Sequence, residues 1–99
     1  MKIRKFNVYT DAGHGWIKVK FTDLIKLDIV DKISPYSYAR GTNVYLEEDC
    51  DAGVLIEALR SKGIEPHWVV HHTNKQSKIR GYSMYIPPIS FNGTYHHLV

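Results

Sequence analysis

The chain is most tightly constrained by one alternating stretch, "KFNVYTDAGHGWIKVKF" at residues 5–21. Apolar and polar residues alternate on both sides of a glycine-bearing turn, which is the period-two pattern of a hairpin with one buried face. Residues 3–9 and 16–21 are the expected strands and "TDAGHG" the loop between them. Pairing Tyr9 with Trp16 sets Val8 beside Ile17 and Phe6 beside Val19 on the core side. Lys5, Asn7, Tyr9, Trp16, Lys18 and Lys20 then share the opposite side, a lysine-rich face carrying aromatic rings.

The remaining elements must cover the apolar face of that hairpin. Thr22 is a candidate cap for a short helix with Leu24, Ile25 and Leu27 as its stripe, closing at Asp28 in a left-handed conformation. "DKISPYSYARG" at 31–41 is expected to be irregular, because Pro35 disfavours helix before it and Gly41 permits a turn. Asn43 to Glu47 is a short strand. Asp49 or Asp51 caps a second helix that runs to Ser61 or Lys62 and stops at Gly63, burying Ala52, Leu55, Ile56 and Leu59. "PHWVVHH" and "KIRGYSMYI" read as strands joined by the turn "TNKQS", and Pro87 and Pro88 end regular structure. The order β-β-α-β-α-β-β predicts an α+β domain over residues 1–86, a mostly antiparallel sheet of about five strands with two helices packed on one face. Residues 87–99 are expected to form an irregular tail.

Ninety-nine residues suffice for one domain with its own core. With 43% hydrophobic and 23% charged residues and no apolar run near the roughly 18 that a membrane span needs, the expected location is cytoplasmic, without a membrane partner. Lys2, Arg4 and Lys5 are followed by no apolar stretch of the secretory kind. Cys50, the single cysteine, forms no internal disulfide; inside "EEDCD" its thiolate is opposed by carboxylates, the reverse of what a nucleophile needs. The net charge of +3 is unevenly spread: residues 66–99 carry Lys75, Lys78 and Arg80 and no carboxylate. That asymmetry fits either an anionic partner or a solvated basic face. It is weak for duplex nucleic acid, and no basic recognition helix is present, so a nucleic-acid polymer is not an expected partner.

The candidate ligand-binding residues are His14, Trp16, Lys18, Tyr36, Tyr38, Arg40, Lys78 and Arg80. Gly13 and Gly15 permit positive φ on either side of His14, giving a phosphate cradle or merely a tight turn. Trp16 with Tyr9 and the lysines has the make-up of a stacking platform for a base, or of an anchor covered by a second subunit in a homodimer. Arg40 is placed to hold a phosphate beside Tyr36 or Tyr38, or to pair with Glu47 or Glu48. His71 and His72 are neighbours on a strand and point to opposite faces, so they cannot share one metal ion without a bulge. One of them with His14 and a carboxylate would make a zinc site, but no HxxxH or cysteine pair supports it, and His96-His97 near the end of the chain is weaker still. No metal or other cofactor is therefore expected. Glu47, Glu48, Asp49 and Asp51 read as helix-start capping, or as an acid-base or magnesium cluster. No catalytic residue is assigned: Ser34, Ser37 and Ser77 lack a nucleophile elbow, and the Asn92-Gly93-Thr94 sequon is read as chance.

The segments "DAGHGWIKV", "KISPYSYARG", "VYLEEDCD" and "HTNKQSKIR" resemble a family of short, mostly uncharacterised proteins encoded by bacteriophages and prophages. The resemblance covers most of residues 6–82. The family's turn motif matches Asp11, Gly13, His14, Gly15 and Trp16, and its serine-tyrosine loop matches Lys32, Ile33, Ser34, Tyr36, Ser37 and Tyr38. The helix start matches Leu46 to Asp49, and the late strand Ser77, Ile79 and Arg80. Asp28 and Pro35 stand where relatives often have glycine, and the tail after Tyr82 has no counterpart. The resemblance implies a phage accessory protein acting inside a bacterial host cell, with no known activity attached. The leading expectation is a non-enzymatic protein that captures a small phosphate-bearing, nucleotide-like ligand, such as a signal of host defence. The alternatives are an inhibitor that docks on a host enzyme through the same aromatic face, and a small metal-dependent phosphoesterase using His14 or His71 with the acidic cluster.

Overall fold

A computed structural model describes residues 2–91 and 94–96. It has the α+β architecture expected. A hairpin of β1 (Lys2–Thr10) and β2 (Gly15–Lys20) leads into α1 (Phe21–Lys26), a 3-10 turn, β3 (Tyr38–Arg40), β4 (Asn43–Glu47) and α2 (Ala52–Ser61). After α2 come β5 (Ile64–His72), a second 3-10 turn at Lys78–Gly81, β6 (Ser83–Met84), and a separate hairpin of β7 (Ile89–Phe91) and β8 (Thr94–His96). The main sheet has six strands in the order β5-β1-β2-β4-β3-β6, and only β1 with β5 is parallel.

The hairpin register is the expected one, with Tyr9 opposite Trp16 and Val8 opposite Ile17. Period-two alternation then sends Phe6, Ile17, Val19, Val44 and Leu46 to one face, where they meet Leu24 of α1 and Leu55 and Leu59 of α2. Each of those fully enclosed leucines contributes roughly 1.5 to 3 kcal/mol of apolar burial. Both helices therefore lie on this face, and the opposite face of the sheet is left to polar and aromatic side chains with Val69 among them. Its strands align them in two adjacent rows: His71, Tyr9, Trp16 and Glu47 in one, and Val69, Asn7, Lys18, Tyr45 and Tyr38 in the next.

Several local expectations are corrected. Lys20, not Thr22, precedes the first turn of α1, because the Asp23 carboxylate accepts the Lys20 backbone N–H at 2.8 Å. The left-handed residue that follows is Asp28, at φ 57°, as expected. Asp51 is the N-cap residue of α2, but its carboxylate is turned to the Ser34–Ser37 loop instead of capping the helix. Tyr38 to Arg40, expected to be irregular, pair with β4 and form a strand. Conversely, "KIRG" is a 3-10 turn rather than strand: Ser77 Oγ accepts the Ile79 N–H, and Asp11 draws in both the Ser77 N–H and Arg80. A short hairpin, β7 with β8, stands where the tail was expected to be irregular. The readings placed on Asn92, Gly93 and His97 lie outside the described residues. Among the described residues, no helix is long and apolar enough to cross a membrane.

Candidate functional site

The turn "TDAGHG" is organised by Asp11. Its Oδ1 accepts the backbone N–H of Gly13 and of His14, each at 2.9 Å, and its Oδ2 accepts the N–H of Ser77 at 3.0 Å. The Arg80 guanidinium grips both oxygens, with Nε at 2.7 Å and Nη2 at 2.9 Å. The side-chain hydrogen bond from Arg80, followed by that from the Ser77 N–H, holds the Asp11 carboxyl far below the usual carboxylate range despite an opposing desolvation cost. This one residue ties the first hairpin to the 3-10 turn that crosses the helix-free face.

Neither Gly13 nor Gly15 has positive φ; among the described residues the positive-φ glycines are Gly41 and Gly63. What the pair supplies is room. A Cβ on Gly13 would lie 2.9 Å from Arg80 Nη2, and one on Gly15 would lie 2.9 Å from Glu48 Oε2. Because both hydrogen bonds to Asp11 fix the Arg80 fork, Gly13→Ala is expected to cost about 1 kcal/mol, roughly 4 to 8 °C in Tm, in thermal denaturation. An unchanged Tm would show that the guanidinium moves aside freely.

Two concavities flank the 3-10 turn. The first, about 260 Å³, is lined by His14, Trp16, Tyr36, Tyr38, Glu47, Asp49, Cys50 and Arg80. It unites the turn, the serine-tyrosine loop and the helix start from distant parts of the sequence. Trp16 is only 2% exposed, so it is a wall and not the open platform expected. Ile79 and Tyr38 pack on it, and the Arg80 guanidinium sits 5.3 Å from its ring centre. Tyr36 projects from the rim. The polar character of this cavity is acidic. Arg80 is already matched by Asp11, whereas Glu47 and Asp49 bring carboxylates. Partial desolvation by its neighbours, and then the hydrogen bond to Glu47, push the thiol of the exposed Cys50 up, so it stays protonated as the acidic surroundings predict.

The second concavity is a groove of about 180 Å³ lined by Tyr9, Lys18, Tyr45, Ser77, Lys78, Ile79 and Tyr82. It contains no carboxylate. Tyr45 is its aromatic floor, with Tyr82 at 5.1 Å and Tyr9 at 6.5 Å between ring centres. Arg40 extends over the outer ring, 5.1 Å from the centre of Tyr82, and does not pair with Glu47 or Glu48. Burial, followed by the neighbouring Tyr82 and Tyr9, pushes the Tyr45 hydroxyl above its ordinary value, so it remains a donor throughout the neutral range.

The expected ligand residues thus divide. His14, Trp16, Tyr36, Tyr38 and Arg80 line the acidic cavity, Lys18 and Lys78 line the groove, and Arg40 stands at the groove's outer end. Sequence reasoning missed Tyr45 and Tyr82, and it did not single out Asp11 as the organiser of the site. Asp-x-Gly, which favours an Asx turn, was the available signal for Asp11. The expected separation of His71 from His72 holds: His71 stacks on Tyr9 at 4.9 Å, while His72 Nδ1 meets Thr10 Oγ1 at 2.8 Å.

No protein-family model, curated protein or solved structure matches the chain.

Proposed function

We propose that this protein binds a small phosphate-bearing ligand of nucleotide type, without turning it over, in the groove between the sheet and the 3-10 turn. The observation that carries this reading is the groove's lining: Lys18 and Lys78 stand beside three tyrosine rings with no carboxylate among them. Neither lysine is in an ion pair among the described residues. Ammonium groups left unmatched next to a low-dielectric aromatic wall attract an anion more strongly than the same groups in open water. Tyr9 and Tyr82 offer half-buried rings for a base above the Tyr45 floor. On the resemblance that the sequence suggests over most of residues 6–82, we propose a role as a phage accessory protein inside a bacterial host, where captured nucleotide signals would be withdrawn from defence.

The test is a thermal-shift and calorimetric series with nucleoside mono-, di- and triphosphates, cyclic dinucleotides and inorganic phosphate. A ligand at a hundred times its Kd adds about 2.7 kcal/mol, which raises Tm by roughly 10 to 20 °C in a domain of this size. Lys18→Ala with Lys78→Ala is expected to raise Kd at least tenfold, on the order of 1.4 kcal/mol, at unchanged Tm of the free protein. Recovery of intact nucleotide fits capture; recovery of product would replace capture with phosphoester hydrolysis. Affinity unchanged in the double variant would remove the groove from the reading.

A second reading, a protein partner, is favoured by Tyr36, which is 69% exposed at the rim of the acidic cavity. A host protein that co-purifies with the wild type and is lost on Tyr36→Ala would support it.

A further inference from the structure

Three residues of the acidic cavity, His14, Glu47 and Asp49, form with the adjoining Glu48 a donor set that anion binding in the groove leaves unused. A ring nitrogen of His14 and one carboxylate oxygen each from Glu47, Glu48 and Asp49 lie within 4.8 Å of one another. Donors bound about 2.1 Å from one cation are at most roughly 4.2 Å apart across it, so a small contraction closes this set around an ion. Glu47 is already held in place, since its Oε2 accepts the backbone N–H of Asp49 at 2.9 Å and of Cys50 at 2.8 Å, while its Oε1 lies 3.5 Å from His14 Nδ1. Glu48 is held close because Gly15 has no Cβ to exclude its carboxylate.

A separate observation points to a ligand in the same cavity. Trp16 is 2% exposed, lines this cavity, and its Nε1–H has no acceptor among the described residues. That N–H is enclosed, so an oxygen on a bound ion satisfies it once the cavity wall shifts slightly to admit it. Its ring centre is 6.2 Å from that of His14. A hydrated or oxyanion-bearing cation supplies such an oxygen, and three carboxylates crowded about one imidazole supply the negative charge that attracts the cation.

We propose that His14, Glu47, Glu48 and Asp49 form a binding site for a divalent transition cation of the Mn2+ or Zn2+ type, with an oxygen on the bound ion accepting the Trp16 indole N–H. One imidazole with several carboxylates suits Zn2+, which is borderline, and Mn2+, which is harder but accepts a nitrogen donor more readily than Mg2+ or Ca2+, the ions that an all-oxygen set suits. Neither lysine of the groove takes part, so the site stands or falls independently of the proposed anion binding.

The experiment is titration of the full chain with Mn2+ alone, followed by calorimetry and by NMR of the indole N–H resonances. One saturable site is expected, with paramagnetic broadening of the Trp16 indole signal ahead of Trp68. His14→Ala and Asp49→Asn, both at exposed positions and compatible with folding, are each expected to raise Kd at least tenfold, on the order of 1.4 kcal/mol. His71→Ala with His72→Ala is expected to leave Kd unchanged. Binding that survives both His14→Ala and Asp49→Asn, or that broadens Trp68 first, would overturn the assignment. So would the lack of saturable binding below about 1 mM Mn2+.

Discussion

Asp51→Ala is expected to destabilise the protein by about 3 kcal/mol, lowering Tm by roughly 12 to 24 °C. Asp51 is 1% exposed, and its carboxylate accepts the Ser34 N–H at 3.0 Å, the Ser34 hydroxyl at 2.7 Å and the Ser37 hydroxyl. The network extends further: Ser37 Oγ accepts the Glu47 N–H, Ser34 Oγ accepts the Tyr36 N–H, and the Ser37 carbonyl accepts the Tyr85 N–H. Alanine leaves the three donors that faced the carboxylate without an acceptor, and each buried unmatched donor carries its own desolvation cost. Asp51→Asn keeps the shape and one acceptor oxygen, so its loss should be smaller. Because the same loop carries Tyr36 and leads directly into Tyr38 of β3, Asp51→Ala should also disorder one wall of the acidic cavity. Urea denaturation followed by circular dichroism measures the first effect. A loss under about 1 kcal/mol would mean that water replaces the carboxylate at little cost.

The second large effect concerns Asp11, and it depends on pH. The carboxyl is depressed in the folded protein chiefly by the Arg80 hydrogen bond, so folding favours its charged form. A depressed acid stabilises the fold above its unfolded value of about 3.9, and that contribution drains away as pH falls from there toward the folded value. Asp11→Asn should therefore be markedly less stable than wild type at pH 7. The difference should hold down to about pH 5 and narrow progressively below about pH 4. Denaturation at pH 7, 5, 4 and 3 provides the check. A gap between the two proteins that stays constant down to pH 3 would assign the stability of the turn to something other than this charge.

The core was legible because it follows from alternation and helical spacing, which are local signals. Phe6, Ile17 and Val19 on the strands, and Leu55 and Leu59 on α2, are buried as expected. The site was legible only as a list of residue types. Lys18 and Trp16 share a strand face, but they serve different concavities because Ile79 of the 3-10 turn lies between the sheet and solvent. That turn reads as a strand in isolation, and it forms because Asp11, sixty-odd positions upstream, accepts the Ser77 N–H and pairs with Arg80. The acids at 47 to 51 show the same limit. Helix-start capping explains their composition, yet Asp51 is spent on a loop and Glu47 on its own following turn. Such pairings are tertiary, and no periodicity encodes them.

The parallel pairing of β1 with β5 has a consequence for synthesis. Lys2 to Thr10 align residue by residue with Ile64 to His72, so an early strand waits for one that is made much later. A chain emerging from the ribosome can close the first hairpin at once, but the free edge of β1 stays unpaired until residue 72 has cleared the exit tunnel. At about 5 to 20 residues per second this leaves an exposed strand edge for several seconds, a window in which neighbouring nascent chains can pair with it. Expression temperature and the spacing of ribosomes on the message should accordingly govern the yield of folded protein more than its final stability does.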